Sequence, residues 1–448
     1  MPDSYITFAQ PLNEYILLII LTLAVLFFAG IRLGVIKGGW NKNLVYLWSL
    51  IIYSIYLLFT PLYFYINGRS EIIGTDITGY YGVGFFFNTL AIFSFILGYW
   101  LKGTQNKVQK WDLPPVNEIR NPHKIISVLF YGCYIIVLGN LAIGGANIQQ
   151  VFVGNEVLGL GARGGSYFLQ NFTDSLICII VLAFIYGIPP RKLLIWIGMS
   201  FFLFSLLGFR YRILLSLFGI LFVYLYSHEL TPKRLIAGAT LALIFFYAIM
   251  FSTENRFTLI TRDYEKIKVD PLTFEYERFF DQTRGALADM AVYRLYDNPN
   301  RDAQYDYGVT MFGYVFIRMI PRSIYPDKDR FYPPPQLATT IQAYDAWWGK
   351  FSGEATLSVA AFYIAFGWIG VSVGHFIWGI LLRRLRDVIR RADKLQFATY
   401  IVVALVSFQW ITRGYLPQII DQAVYMLIPI WVMRYYAKKN KNATHKPG

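Results

Sequence analysis

The chain is 448 residues long, 56% hydrophobic and 18% aromatic, and only 15% of its residues are charged; its mean hydropathy is +0.43. A water-soluble chain of this length would make two or three domains, but so apolar a composition belongs in a bilayer and excludes that class. A net charge of +14 invites a nucleic-acid reading, which the placement of the bases along the chain makes unnecessary.

The N-terminal stretch MPDSYITFAQPLNEYILL has neither the basic n-region nor the small-residue cleavage site of a secretory signal, so the first apolar run is expected to stay as a membrane anchor. Runs long enough to span, about 18 to 22 residues, lie near 15–36, 43–66, 80–101, 124–143, 168–187, 191–208, 211–227 and 233–251. Three more lie near 355–382, 396–413 and 417–436. The alternation of barrel strands is not present in these runs, so they read as eleven helices, which satisfy their own backbone in lipid. Cys133 and Cys178 sit in apolar runs without zinc or redox spacing and read as packing residues.

Orientation follows from Lys and Arg in the short loops. With the N-terminus outside and the C-terminus inside, the cytoplasmic segments hold 23 of the 41 bases and only 5 of the 27 acids. This count needs a break at GFRYR, residues 208–212, between two spans; one long helix there would put the six bases between Arg383 and Lys394 outside. The break leaves Arg210 and Arg212 in a turn on the outer face, where bases are disfavoured. Snorkelling to headgroups and substrate contact are both open for Arg212. The chain divides into membrane helices 1–8 over 1–251, an external loop over 252–353, and C-terminal membrane helices with a basic cytoplasmic tail over 354–448.

A loop of this length is expected to be functional. In EYERFFDQTRGALADMAVYRLYD, residues Phe279, Phe280, Leu287, Met290, Ala291 and Leu295 recur at near-helical spacing, which predicts an amphipathic helix lying on the membrane core. GYVFIRMIPRSIYPDKDRFYPPP then sets Arg318, Arg322, Lys328 and Arg330 beside apolar surface. Arginine forks bind phosphate in bidentate fashion, and a polyprenyl diphosphate presents its phosphates at headgroup depth. Pairing with the loop's own acids, Asp281, Asp327 and Asp329, is the competing role, above all for Arg284 and Arg330.

The histidines are placed towards the cytoplasm, and Walker, Rossmann and cysteine-cluster motifs are not found, so metal-free chemistry needs a carboxylate. Glu354, at the entrance of a span, is the candidate general base; capping the helix N-terminus is its other reading. Arg413 and Asp421 flank the last span, as an ion pair or a ligand site. Tyr325, Tyr332, Tyr344, Trp347 and Trp348 can stack on sugars or form an interfacial belt.

Three elements, GFRYRILLSLFGIL, IPRSIYPDKDR with GEATLSVAAFYIAFGWIG, and TRGYLPQII, resemble the Wzy-type oligosaccharide repeat-unit polymerases of O-antigen and capsular polysaccharide synthesis. They lie in order around the external loop, over the C-terminal half of the chain. The resemblance implies an all-α polytopic membrane protein of about 11 transmembrane helices, N-out and C-in, GT-C-like, with one large external loop containing amphipathic helices. It further implies a cofactor-free glycosyltransferase of the bacterial inner membrane. Its substrate is an undecaprenyl diphosphate-linked oligosaccharide, and a chain-length regulator and a flippase are its expected partners. Carried over residue by residue, Arg210 fits the Gly-x-Arg element, Arg318 and Arg322 the basic segment before the turn, and Arg413 the late arginine. Arg212 and Arg284 are then secondary diphosphate contacts and Glu354 the candidate base. The rival from another class is a lipid-linked oligosaccharide flippase or polysaccharide transporter, against which the long loop and the lack of repeats both speak.

Overall fold

The computed structural model describes residues 9–36, 43–72, 75–101, 119–143, 167–207, 210–227, 264–275, 277–297, 305–317, 356–389 and 393–444, with single positions between 236 and 255 and at 320, 324 and 325. The main helices are α1 (Ile16–Ile36), α2 (Leu44–Tyr53), α3 (Thr60–Ile66), α4 (Tyr81–Trp100), α5 (Pro122–Ile143), α6 (Phe172–Ile185), α7 (Pro190–Leu206) and α8 (Arg210–Ser227). They continue with α9 (Glu277–Gln282), α10 (Gly285–Asp297), α11 (Tyr314–Ile317), α12 (Ser358–Ile389), α13 (Lys394–Arg413) and α14 (Leu416–Thr444). Among the described residues the only sheet is a hairpin of Glu71–Ile72 with Thr75–Asp76.

Seven helical stretches among these residues are long and apolar enough to cross a membrane, and α6 and the Tyr211–Tyr226 stretch of α8 are shorter apolar helices. The chain is therefore a mostly helical, polytopic membrane protein. α7 ends at Leu206 and α8 begins at Arg210, so Arg210 and Arg212 lie in the first turn of a helix rather than in the turn expected for them, whereas the run expected at 233–251 falls mostly outside the described residues.

The chain packs as two compact units. The first comprises Met1–Lys107, Phe279–Asp387 and Val406–Ile420; the second comprises Val108–Arg278, Val388–Leu405 and Asp421–Gly448. In the first, α2 runs into α3 through a π-helical turn, Ser54–Phe59. Pro61 has no N–H to give the Leu57 carbonyl one turn back, and Asn88 Nδ2 supplies that bond from α4 at 2.9 Å. α4 and α12 meet backbone to backbone, since a Cβ at Gly98 would collide with the Phe376 carbonyl and one at Gly379 with that of Phe95; small residues of this kind let membrane helices approach closely.

The amphipathic helix expected over the loop is two helices, α9 and α10, broken at Thr283, whose Oγ1 lies 2.8 Å from Thr60 Oγ1. Leu287, Met290, Val292 and Tyr293 of α10 are buried, with Met290 packed on Gly84 of α4. Its apolar face is thus covered by protein rather than lipid.

The largest departure from expectation is in α12, read from sequence as one straight span. Phe366 (φ −145°, ψ 20°) and Gly367 (φ 63°, ψ −152°) are not helical, and the chain reverses there. Ser358 Oγ lies 3.2 Å from His375 Nε2, and Phe362 packs on Gly370 and Gly374. Seventeen residues of straight helix would hold Ser358 and His375 about 25 Å apart. The Ser358 arm therefore folds back antiparallel along the second arm. Only glycine adopts the Gly367 conformation readily.

In the second unit Trp196 of α7 stacks on Phe130 of α5 with ring centroids 4.5 Å apart, and Tyr226 of α8 packs on Phe397 at 4.4 Å.

Candidate functional site

The returning arm of α12 places its N-terminus inside the first unit, and three elements meet there at Leu357. The Leu357 N–H donates to Asp289 Oδ1 of α10 at 2.8 Å, so a loop helix supplies the cap that an isolated helix N-terminus needs. The Leu357 carbonyl faces Gly414, where a Cβ would come within 2.6 Å of the oxygen and 2.8 Å of Ala361 Cβ. Gly414 also has φ +59°, so the late Arg-Gly element turns tightly against this point only because its second residue is glycine. Arg413 is the last residue of α13.

Asp289 was not singled out in the sequence, although an acid on the apolar face of a predicted helix is a readable anomaly. Its side chain is buried, its second oxygen Oδ2 has no hydrogen-bond partner, and burial pushes its carboxyl up to about 8 against the opposing pull of backbone N–H groups. Such a group is held largely neutral near pH 7. Tyr293, one turn further along α10, packs on Tyr363 of the returning arm with ring centroids 4.9 Å apart.

The reversal also brings His375 beside this arm, fully buried, rather than towards the far end of a straight span. Its Nδ1–H donates to the Val371 carbonyl at 2.8 Å, which leaves Nε2 to accept from Ser358. Tyr415, next after Gly414, faces Tyr314 of α11 with centroids 6.3 Å apart. α11 leads directly into Arg318 in sequence. Arg284 is half-buried beside the Thr60–Thr283 contact, with Nη1 3.4 Å from Asp281 Oδ1, the acid expected as its competing partner.

Arg212 belongs to the second unit and is buried. Its Nε meets Asp174 Oδ1 at 2.7 Å and its Nη2 meets Oδ2 at 2.8 Å, a bidentate fork-to-fork pair. Gln422 Nε2 lies 3.4 Å from the same Asp174 Oδ1. This buried pairing differs from snorkelling, one of the two readings open for Arg212, and it commits the Nε–Nη2 edge of the guanidinium to Asp174. Arg210 begins α8, its side chain outside the described ones. Glu354, Arg318 and Arg322 also lie outside the described residues, as do Arg330, Tyr332, Tyr344, Trp347 and Trp348. Among the described residues no group of three or more His, Cys, Asp or Glu is placed to hold a metal ion.

No curated protein and no solved structure matches the chain. Residues 353–441, which include Leu357, both arms of α12 and the Arg413–Gly414 turn, match the family model for O-antigen polysaccharide polymerase Wzy, and that match supports a Wzy-type polymerase.

Proposed function

We propose that the chain is a metal-independent, GT-C-like glycosyltransferase of the bacterial inner membrane, working at the periplasmic or external face. It transfers a growing glycan from undecaprenyl diphosphate to the nonreducing-end hydroxyl of another lipid-linked repeat unit. The observation that carries this reading is the convergence at Leu357, where the α10 cap, the Arg413–Gly414 turn and the chain three residues after Glu354 meet. A broken helix whose half-helix N-terminus is buried in the bundle is the arrangement membrane proteins use to face anionic groups.

In the reaction the acceptor hydroxyl oxygen attacks the anomeric carbon and its proton passes to the Glu354 carboxylate. The bond from that carbon to the diphosphate oxygen breaks, and its electron pair leaves with undecaprenyl diphosphate. Arg210, Arg318, Arg322 and Arg413 offset the developing charge, with Arg284 as a secondary contact. Arg212, held by Asp174, is assigned to fixing α8 on α6. One well-placed donor contributes about 3 kcal/mol to such a transition state, about a hundredfold in rate.

The test is polymerisation of purified lipid-linked repeat units, read as product length on a gel. Arg413→Ala and Glu354→Gln are expected to slow the reaction about a hundredfold in protein that still elutes as a folded species. Polymer of full length at the wild-type rate from Arg210→Ala and Arg413→Ala would overturn the assignment.

A further inference from the structure

The second arm of α12 measures where the loop lies. Arg386, near its far end, donates to Asn43 Oδ1 at 3.1 Å and lies over the Tyr99 ring at 5.2 Å, at the ends of α2 and α4. From Arg383, where the apolar run gives way to bases, back to Gly367 the arm is about 24 Å long at 1.5 Å per residue, against about 30 Å for a hydrocarbon core. An arm no longer than the core does not carry the reversal at Phe366–Gly367 clear of the hydrocarbon.

Residues 305–312 of the loop are fastened to that reversal. The Asp306 N–H donates to the Ile364 carbonyl at 3.2 Å, which satisfies a backbone acceptor beside the break. The Tyr305 ring packs 3.2 Å from where a Gly367 Cβ would be, and Gly308 abuts the Phe366 ring. The rings of Phe312 and Phe366 are 6.4 Å apart.

After this fastening, large apolar side chains are exposed: Phe312, Phe316 (73% exposed), Ile320 and Ile324 (74%). Trp368 and Ile369 are exposed as well, as are Val373 and Ile377 further along α12. Those last residues are exposed on a helix long and apolar enough to cross a membrane. The segment also carries Arg318 and Arg322, followed by Lys328 and Arg330, bases suited to headgroup phosphates.

We propose that residues 309–317, together with Ile320 and Ile324, are not a water-exposed part of the loop but are embedded in the bilayer, at the Gly367 end of α12. Their ligand is bilayer phospholipid, whose acyl chains cover Phe312, Phe316 and Ile324.

The experiment uses the full chain in phospholipid vesicles, with a nitroxide on Phe316→Cys or Ile324→Cys and a control on Glu265→Cys, an exposed loop position. Cys133 and Cys178 are buried and stay in place. Collision with dissolved oxygen is expected to exceed collision with a water-soluble nickel chelate several-fold at 316 and 324, with the order reversed at 265. Equal nickel access at 316, 324 and 265 would overturn the proposal in favour of a solvated loop. Low access to both reagents would overturn it in favour of protein cover, such as a second copy of the chain. Wild-type protein gives a second readout: a photoactivatable phospholipid is expected to label the peptide spanning 309–324, and its absence from that peptide counts equally against embedding.

Discussion

Replacing Asp289 with asparagine tests whether the convergence at Leu357 is built around a neutral acid. Burial holds the folded carboxyl at about 8, against about 4 in an unfolded chain. Between those values the folded protein keeps a proton that the unfolded chain has released. Stability from this group is therefore full below about pH 4 and lost as pH rises through about 8, with a limiting slope of about 1.4 kcal/mol per pH unit. Over pH 6 to 8 the loss is on the order of 2 kcal/mol. Asparagine keeps an oxygen to accept from Leu357 N–H and does not titrate, so Asp289→Asn should lose far less over the same range. Alanine removes the cap, which costs about 1 kcal/mol, and strands the Leu357 N–H, for about 1–3 kcal/mol more. The assay is thermal unfolding in detergent from pH 5 to 8.5, read as the difference between wild type and each variant, so that groups common to both cancel. A difference between wild type and Asp289→Asn that stays constant over this range would show that the carboxyl is not held neutral by the fold, and would refute the reasoning.

Three further outcomes follow from the packing. Arg212→Met should destabilise by about 3–5 kcal/mol, because it leaves the buried Asp174 carboxylate uncompensated, and Arg212→Met with Asp174→Leu should recover most of that loss in a thermal melt. A double variant that polymerises normally would confine Arg212 to a structural role, whereas one that folds but is inactive would return it to the diphosphate site. Gly367→Ala places a side chain at φ 63° and 3.2 Å from the Tyr305 ring; it should loosen the Tyr305 attachment, seen as faster proteolysis of the loop and at least tenfold lower activity. Gly98→Val meets the Phe376 backbone, whereas Gly139→Val meets nothing within 4 Å, so only the first should fail to give a monodisperse peak on size exclusion.

How far the sequence reveals this molecule depends on what kind of interaction fixes each part. A span must present about 20 apolar residues to lipid, a local demand, and α1, α4 and α5 are legible within two residues of their ends. The separation of α7 from α8 is expected from the sequence because loop charge counts every loop at once. The reversal in α12 has no such local cost in composition. AAFYIAFGWIGVSVGHF is apolar on both sides of Gly367, so hydropathy sees one span where the backbone makes a hairpin, and the glycines at 370 and 374 that let Phe362 close it look like ordinary small residues. The same blindness applies to buried acids. Asp174 pairs with an arginine 38 residues later, and Asp289 with a backbone N–H 68 residues later; neither partner leaves a mark at a fixed spacing. Yet each is a lone carboxylate in an apolar run, and burying one uncompensated costs several kcal/mol. That cost makes the partner a requirement of the fold. Read this way, Asp289 takes the capping role that Glu354 was also open to.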